Sequence, residues 1–467
     1  MHTSTPPVAA GPPRATPLAF AALLMGMLMA QLDTNIVVAA LPAISADLQA
    51  GGAIAAITAV YLLAVTVSTP IHGKLGDLLG RRTVFNGTLI AFAAGSLACA
   101  LAPSMPVLIA ARAIQGIGGG GLVVTAISAL AQMFTREELV RRQGHLTGVF
   151  ALSSLAGPPL GGLLAAGPGW RWIFLVNLPL CAAAAALSQR GLPGRPQDRN
   201  RSSFDTRGAA LITVIGGSVV TLGSMQSLAR NPWGTAAVLA AVAVCALLFA
   251  KTERRAAEPL IPPALFGDRA VARSIASTGL AGIALFGTFA FIPLAIKEGT
   301  GAGSGETGLL LLALTTGQLA ATTMFSILAR RYPALWRWGR IALVLGIAGM
   351  AALAVLPALH DAPRLVSIPL AIAGMALAGS ALGLSMQAYT LIAQGRAQPH
   401  QIGSTMGALT FARQLGGSLG AAVFGWLLLT ASGTRTGVII ALAAAAICLA
   451  AALAAAPRAK DDSATRA

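Results

Sequence analysis

Asp33, Arg112 and Arg413 each stand well inside a long apolar run of this 467-residue sequence. A charge at the centre of a helix long enough to span a bilayer costs roughly 2.5–3.5 kcal/mol on insertion scales, so such residues face a protein interior or a wet cavity and take part in ion or proton traffic. Asp33 lies about 13 Å short of Pro42 at the helical rise of 1.5 Å per residue, and Arg112 about 9 Å beyond Pro106. Opposite charges at matching depth lower each other's cost when they pair directly or through water. Two plainer readings stand beside this one: Asp33 as an acid near a helix end reaching for water, and Arg112 as a side chain snorkelling to an interface.

Arg413 sits about eleven residues into its run, with no acid at similar depth in the same run. It either binds anionic or polar groups of a substrate or braces carbonyls of the glycine-rich turn that follows. Asn35, Gln115, Gln318, Gln387 and Tyr389 are polar residues in apolar surroundings that line a cavity or make helix–helix hydrogen bonds. The loop Gly73-Lys74-Leu75-Gly76-Asp77-Leu78-Leu79-Gly80-Arg81-Arg82 combines glycines for a tight turn with an acid and paired arginines. Asp77, Arg81 and Arg82 can make charge-assisted bonds across one face of the molecule. Gly157-Pro158-Pro159 removes two amide donors and predicts a kinked helix whose small residues admit a close neighbour. That kink is either a seal against leakage or a packing feature.

The elements that must position these residues are membrane helices. The chain is 56% hydrophobic and 10% charged with a mean hydropathy of +0.76, whereas a soluble protein carries about 25% charged residues. Fourteen apolar runs of spanning length occur, at 17–41, 53–72, 83–102, 106–130, 143–166, 171–188, 209–229, 234–250, 273–296, 306–328, 339–356, 365–393, 402–430 and 436–456. Each is long enough for a helix across about 30 Å of hydrocarbon, and none shows the short alternating pattern of barrel strands.

The net charge of +17 comes from basic clusters between the runs, which argues for positive-inside topology rather than nucleic-acid binding. Of the 32 Lys and Arg residues, Arg171, Arg230, Lys297, Arg364 and Arg435 fall on one side and Arg112 and Arg413 inside helices. The rest lie on the side of the N-terminus. Both termini are therefore expected in the cytosol. Trp170, Trp172, Trp233, Trp336 and Trp338 at run edges suit an interfacial belt.

Cys99, Cys181, Cys245 and Cys448 lie in apolar runs without metal spacing and read as small buried hydrophobes. The first run is too long for a signal peptide and is expected to be retained.

The loop at 73–82 resembles the signature loop of the major facilitator superfamily. Ala111-Arg112-Ala113-Ile114-Gln115-Gly116, continuing through Gly118–Gly121, is similar to the motif that places an arginine near the coupling acid. Ala156-Gly157-Pro158-Pro159-Leu160-Gly161-Gly162 is similar to the motif associated with antiporters. Trp170-Arg171-Trp172-Ile173-Phe174-Leu175-Val176-Asn177-Leu178-Pro179 and the Leu32-Asp33…Ala40-Leu41-Pro42 pattern resemble those of fourteen-span drug:proton antiporters. Departures are Leu78 where the loop usually has a basic residue, and Asn35 and Val38 where helix 1 usually has Thr and Asn.

The resemblance implies an all-α integral membrane protein of the major facilitator fold, with two six-helix bundles (17–188 and 273–456). Two additional helices and their cytosolic loops (189–272) lie between the bundles and outside their core, and the tails are 1–16 and 457–467. It implies proton-coupled efflux of lipophilic, cationic compounds by alternating-access antiport in a bacterial inner membrane, by a monomer. Asp33 and Arg112 would couple protons; Gly73, Asp77, Gly80, Arg81 and Arg82 would form the cytosolic gate. No cofactor or metal is expected beyond the proton gradient, since no Gly-x4-Gly-Lys-Ser/Thr loop is present. The alternative is a dedicated exporter of one natural product on the same scaffold. A membrane enzyme fits less well, because His2, His72, His145, His360 and His400 fall in tails, loops or helix ends. A channel would need an oligomeric ring of polar residues.

Overall fold

The computed structural model describes residues 16–48, 54–194, 205–224, 232–256, 259–289, 291–302 and 304–459. Arg14, Arg195, Arg199, Arg201, Arg230, Lys460 and Arg466 lie outside these segments. Among the described residues regular structure is helical throughout, as hydrocarbon demands when every backbone amide must be satisfied within its own segment.

The first bundle comprises α1 (Pro17–Leu48), α2 (Ile54–Leu79), α3 (Arg81–Ala100), α4 (Met105–Met133), α5 (Arg136–Ala166), α6 (Trp172–Leu175) and α7 (Asn177–Gly191). Two further helices follow, α8 (Thr206–Ser224) and α9 (Pro232–Glu253). The second bundle comprises α10 (Arg269–Gly287), α11 (Ile292–Thr300), α12 (Ser304–Leu328), α13 (Leu335–Val355), α14 (Arg364–Arg396), α15 (Ile402–Thr430) and α16 (Thr434–Ala455). Eleven helical segments among the described residues are long and apolar enough to cross a membrane, and α8, α9 and α15 occupy the remaining three apolar runs.

Local chemistry explains the ends. Gly80 adopts φ 88°, which lets α2 turn into α3 across one residue. Thr135 and Glu138 form a reciprocal cap at the start of α5, and Asp268 accepts from the Ala270 and Val271 amides at the start of α10. Two of the expected spans are broken. The run 171–188 divides at Val176 and the run 273–296 at Thr288–Phe291. Pro179 and Pro293 stand just after those breaks and supply no amide to the turn before them. The prolines of α5, by contrast, lie within a helix assigned continuously from Arg136 to Ala166.

The two bundles repeat one packing scheme. In the first, α2 and α3 lie on α4, α5 on α1, and α7 on α1 and α3. In the second, α12 and α13 lie on α14, α15 on α10, and α16 on α10 and α13. The bundles meet through α2 against α15 and α5 against α12, a reciprocal pair that a two-fold relation produces. The additional helices are not simply peripheral: α8 packs on both α2 and α15. Gly216 of α8 lies where a methyl would be 3.0 Å from Val67 and 3.6 Å from Phe411. This helix therefore lies along the seam between bundles.

Candidate functional site

Three glycine contacts bring α2 and α3 onto α4. A Cβ on Gly95 would lie 2.5 Å from Gln115 Cα, and one on Gly118 would lie 2.7 Å from Phe92 Cα. One on Gly116 would lie 2.6 Å from the Tyr61 carbonyl. Only bare backbone permits these approaches, and they deliver Tyr61 and Ser96 to the level of Arg112.

There the sequence-expected pair closes directly. Arg112 Nη1 donates to Asp33 Oδ2 at 2.6 Å and to Gln115 Oε1 at 2.6 Å. Gln115 Nε2 donates to Asp33 Oδ1 and to Ser96 Oγ, both at 2.8 Å. Asn177 Nδ2 reaches Ser96 Oγ at 3.3 Å and Asp33 Oδ1 at 3.5 Å. The guanidinium carbon lies 4.0 Å from the centre of the Tyr61 ring, and Tyr61 donates its hydroxyl hydrogen to the Ala30 carbonyl. Asp33 is 1% exposed, and Arg112 and Gln115 are fully buried. The snorkelling and helix-end readings are thus set aside by geometry. Of the two readings open for Gln115, the helix–helix hydrogen bonds are the one these contacts fit. Ser96 and Tyr61 carried no motif and were missed; Asn177 stood in the quoted Trp170–Pro179 stretch without an assigned role.

The loop residues assemble a second site at the arginine-rich end. Asp77 pairs with Arg81 and accepts from the Gly403 amide at 3.0 Å, the Ser404 amide at 2.8 Å and the Ser404 hydroxyl at 2.9 Å. Arg81 also reaches the Gly73 carbonyl at 3.3 Å. These bonds run from the end of α2 to the beginning of α15, whose unpaired first amides suit a carboxylate. A Cβ on Gly73 would overlap the Gly403 carbonyl oxygen, and one on Gly403 the Gly73 carbonyl. The two backbones therefore touch at a pair of glycines. Arg82 points elsewhere, donating through Nε to Gln189 of α7 at 3.1 Å.

In α5, a Cβ on Gly157 would sit 2.5 Å from Asn35 Cβ, and one on Gly161 would overlap the Ile36 carbonyl. Gly162 faces open space, so it takes no part in this contact. The second bundle repeats the device where Gly416 and Gly420 of α15 meet Gly279 and Ile283 of α10. Asn35 donates to the Gln31 carbonyl at 3.0 Å and lies against Gly157 of α5.

A cavity opens between the bundles, with Met27, Leu130 and Phe150 on one side and Gln318, Gln387 and Arg413 on the other. Tyr389 borders a smaller adjoining cleft with Arg413 and donates to the Gly339 carbonyl at 3.1 Å. Neither lining contains Asp33. At the end opposite the arginine-rich loops, Asp47 accepts from Arg171 at 2.7 Å and Trp170 at 3.0 Å.

The described residues contain no cluster of His, Cys, Asp and Glu that could hold a metal. The family model for the Major Facilitator Superfamily matches residues 23–421. An MFS-type transporter of Mycobacterium tuberculosis is 33% identical over 452 residues, covering 93% of this chain; the chain spans 63% of that relative's length. The multidrug transporter protein MdtP of Bacillus subtilis is 30% identical over 425 residues, covering 88% of this chain and 75% of its own. The crystal structure of the human organic anion transporter MFSD10 superposes with a TM-score of 0.71 at 16% identity, covering 94% of this chain and 99% of that one. That likeness speaks to fold alone. Helical bundles repeated around a central cavity, a glycine-paired helix contact and a match across nearly the whole length lead to one assignment: the chain is a multi-pass membrane protein belonging to the Major Facilitator Superfamily.

Proposed function

We propose that the protein exports lipophilic small molecules in exchange for protons. The observation that carries this reading is the buried Asp33–Arg112–Gln115 network, which holds one acid at membrane depth with its counter-charge on a different helix. Protonating Asp33 removes the charge that ties α1 to α4, so the two helices can move relative to each other. The influence of that step is bounded by the difference in proton affinity between the two states. Kinship with a multidrug transporter supports export of small molecules, as do the mainly apolar cavity walls.

On this reading all fourteen apolar runs span the bilayer of a bacterial inner membrane. The arginine-rich end and both termini lie in the cytosol. The bundles 17–188 and 273–456 alternate access as a monomer, and the Asp77–Ser404 contact is the cytosolic gate. The expected preference for cations rested on substrate reaching Asp33, which in this state is buried and absent from the cavity lining.

Everted membrane vesicles energised by respiration and loaded with a pH-sensitive dye test the proposal. Substrate-triggered proton release is expected in wild type and lost in Asp33→Asn at equal membrane abundance. Release that survives in Asp33→Asn would remove this acid from the mechanism.

A further inference from the structure

Arg413 is as deep as Arg112 and is partnered quite differently. Its guanidinium carries five N–H donors in a rigid fork. Among the described residues the one bond it makes is from Nη2 to Thr410 Oγ1 at 3.5 Å, the outer limit of a hydrogen bond. No carboxylate lies within ion-pair distance of it among those residues, although the side chain is 9% exposed. Its backbone packs against Gly282, but the side chain braces no carbonyl there, which sets aside a purely structural role. The guanidinium borders both the central cavity and the adjoining cleft, and neither contains an acid.

We infer that Arg413 is an anion-recognising substrate contact, so that the compounds exported are lipophilic acids carrying a carboxylate or sulfonate on an apolar body. The inference rests on the cavity being the substrate path of the export reading above. A planar carboxylate accepts two parallel N–H bonds from the fork. Arg413 keeps its charge at any physiological pH, so this contact does not switch with the proton. Gln318 and Gln394 extend the polar wall beside it, and the Gln394 amide oxygen is buried with no hydrogen-bond partner among the described residues, ready to accept from a hydroxyl or amide of the guest. Met27, Leu130, Phe150 and Met386 supply the apolar remainder. A cationic guest would meet a fixed like charge in this cavity with no carboxylate to offset it. Asp33, the acid that serves the proton, is already committed to Arg112. Proton site and substrate site are therefore separate and of opposite sign.

The test uses the full chain in detergent and matched arylalkyl probes that differ only in ending in a carboxylate, a methyl ester or a trimethylammonium group. Binding is read by fluorescence anisotropy and flux in proteoliposomes carrying an imposed pH gradient. Wild type is expected to bind the carboxylate at least tenfold more tightly than the ammonium probe. Arg413→Gln is expected to lose that margin while holding the ester with unchanged affinity, which shows that the cavity is still folded. Arg413→Lys, which keeps the charge without the fork, is expected to retain part of it. Equal or tighter binding of the ammonium probe by wild type overturns the inference, as does a carboxylate preference that survives in Arg413→Gln. Carboxylate-selective binding without gradient-driven flux would instead refute proton-coupled export and leave the binding site standing.

Discussion

Replacing Gly403 with Ala should open the seam between α2 and α15. The new methyl would overlap the Gly73 carbonyl oxygen and the Arg81 guanidinium. Neither obstacle can yield freely. The Gly73 carbonyl belongs to helical backbone, and Arg81 is clamped to Asp77 and to that same carbonyl. Restoring van der Waals contact requires the two helix ends to separate by roughly 1 Å, and overpacking of this kind costs about 1–3 kcal/mol. Asp77 bonds the Gly403 and Ser404 amides at 3.0 and 2.8 Å, so the same displacement stretches both. The penalty applies only while the seam is closed. A change of 1–3 kcal/mol shifts a two-state population by about 5- to 150-fold. Spin labels on Leu79→Cys and His400→Cys, at the exposed ends flanking the contact, report it by pulsed distance measurement: the short-distance population of the parent should give way to a longer one. Gly87→Ala is the control, because nothing lies within 4 Å of its added methyl. A distance distribution unchanged by Gly403→Ala in a folded protein would refute the argument that glycine-to-glycine contact sets this seam.

Two further outcomes follow from charge. Asp33→Asn leaves Arg112 buried without its counter-charge, and breaking a buried pair from one side costs about 3–5 kcal/mol; thermal unfolding in detergent should fall sharply and recover in Asp33→Asn/Arg112→Gln, and a full-strength single variant would disprove the pairing. At the end of α9, beyond the apolar run, Glu253 is 4% exposed and its Oε2 accepts from the Ile261 amide at 3.0 Å. Burial outweighs that bond, and with Asp205 nearby it pushes the carboxyl from its ordinary 4.5 up to about 7. The folded state thus keeps a proton that the unfolded chain has released, so stability falls as pH rises from about 4.5 to about 7 and is level above. Glu253→Gln should raise the melting temperature relative to wild type above pH 7 and not at pH 4.5; an equal gain at both would show that the charge is not the cause.

What the sequence made legible was depth. Counting 1.5 Å per residue placed Asp33 and Arg112 at one level, and the structure joins them at 2.6 Å. The glycine-rich stretches of α5 and α15 are likewise visible in the sequence, and both helices prove to be pressed against the first helix of their bundle. Direction around each helix was not legible. These segments are apolar on every face, so no polar stripe reports which side meets a neighbour. That is why cavity lining and helix–helix bonding both stayed open for Gln115 and Asn35, and why Gly162 was grouped with glycines whose contact it does not share. The partners Ser96, Asn177 and Tyr61 come from three other helices, and only folding puts them beside Asp33. The seam position of α8 was hidden for the same reason: Val67 and Phe411 lie far apart in sequence and on different bundles.

On the export reading, the separation of the two buried arginines bears on how cargo would be linked to the proton. If both competed for Asp33, the cavity would have to reach that carboxylate, and its lining does not. The connection runs instead through helices. Met27, on the cavity wall, is six residues from Asp33 on α1, or about 9 Å along the axis; Leu130, on the same wall, shares α4 with Arg112. The salt bridge therefore joins two helices that each line the cavity. Neutralising Asp33 would then free α1 and α4 to shift without any group entering or leaving the cavity. Cargo and proton can then carry charges of unrelated sign, since the quantity they share is the relative position of α1 and α4.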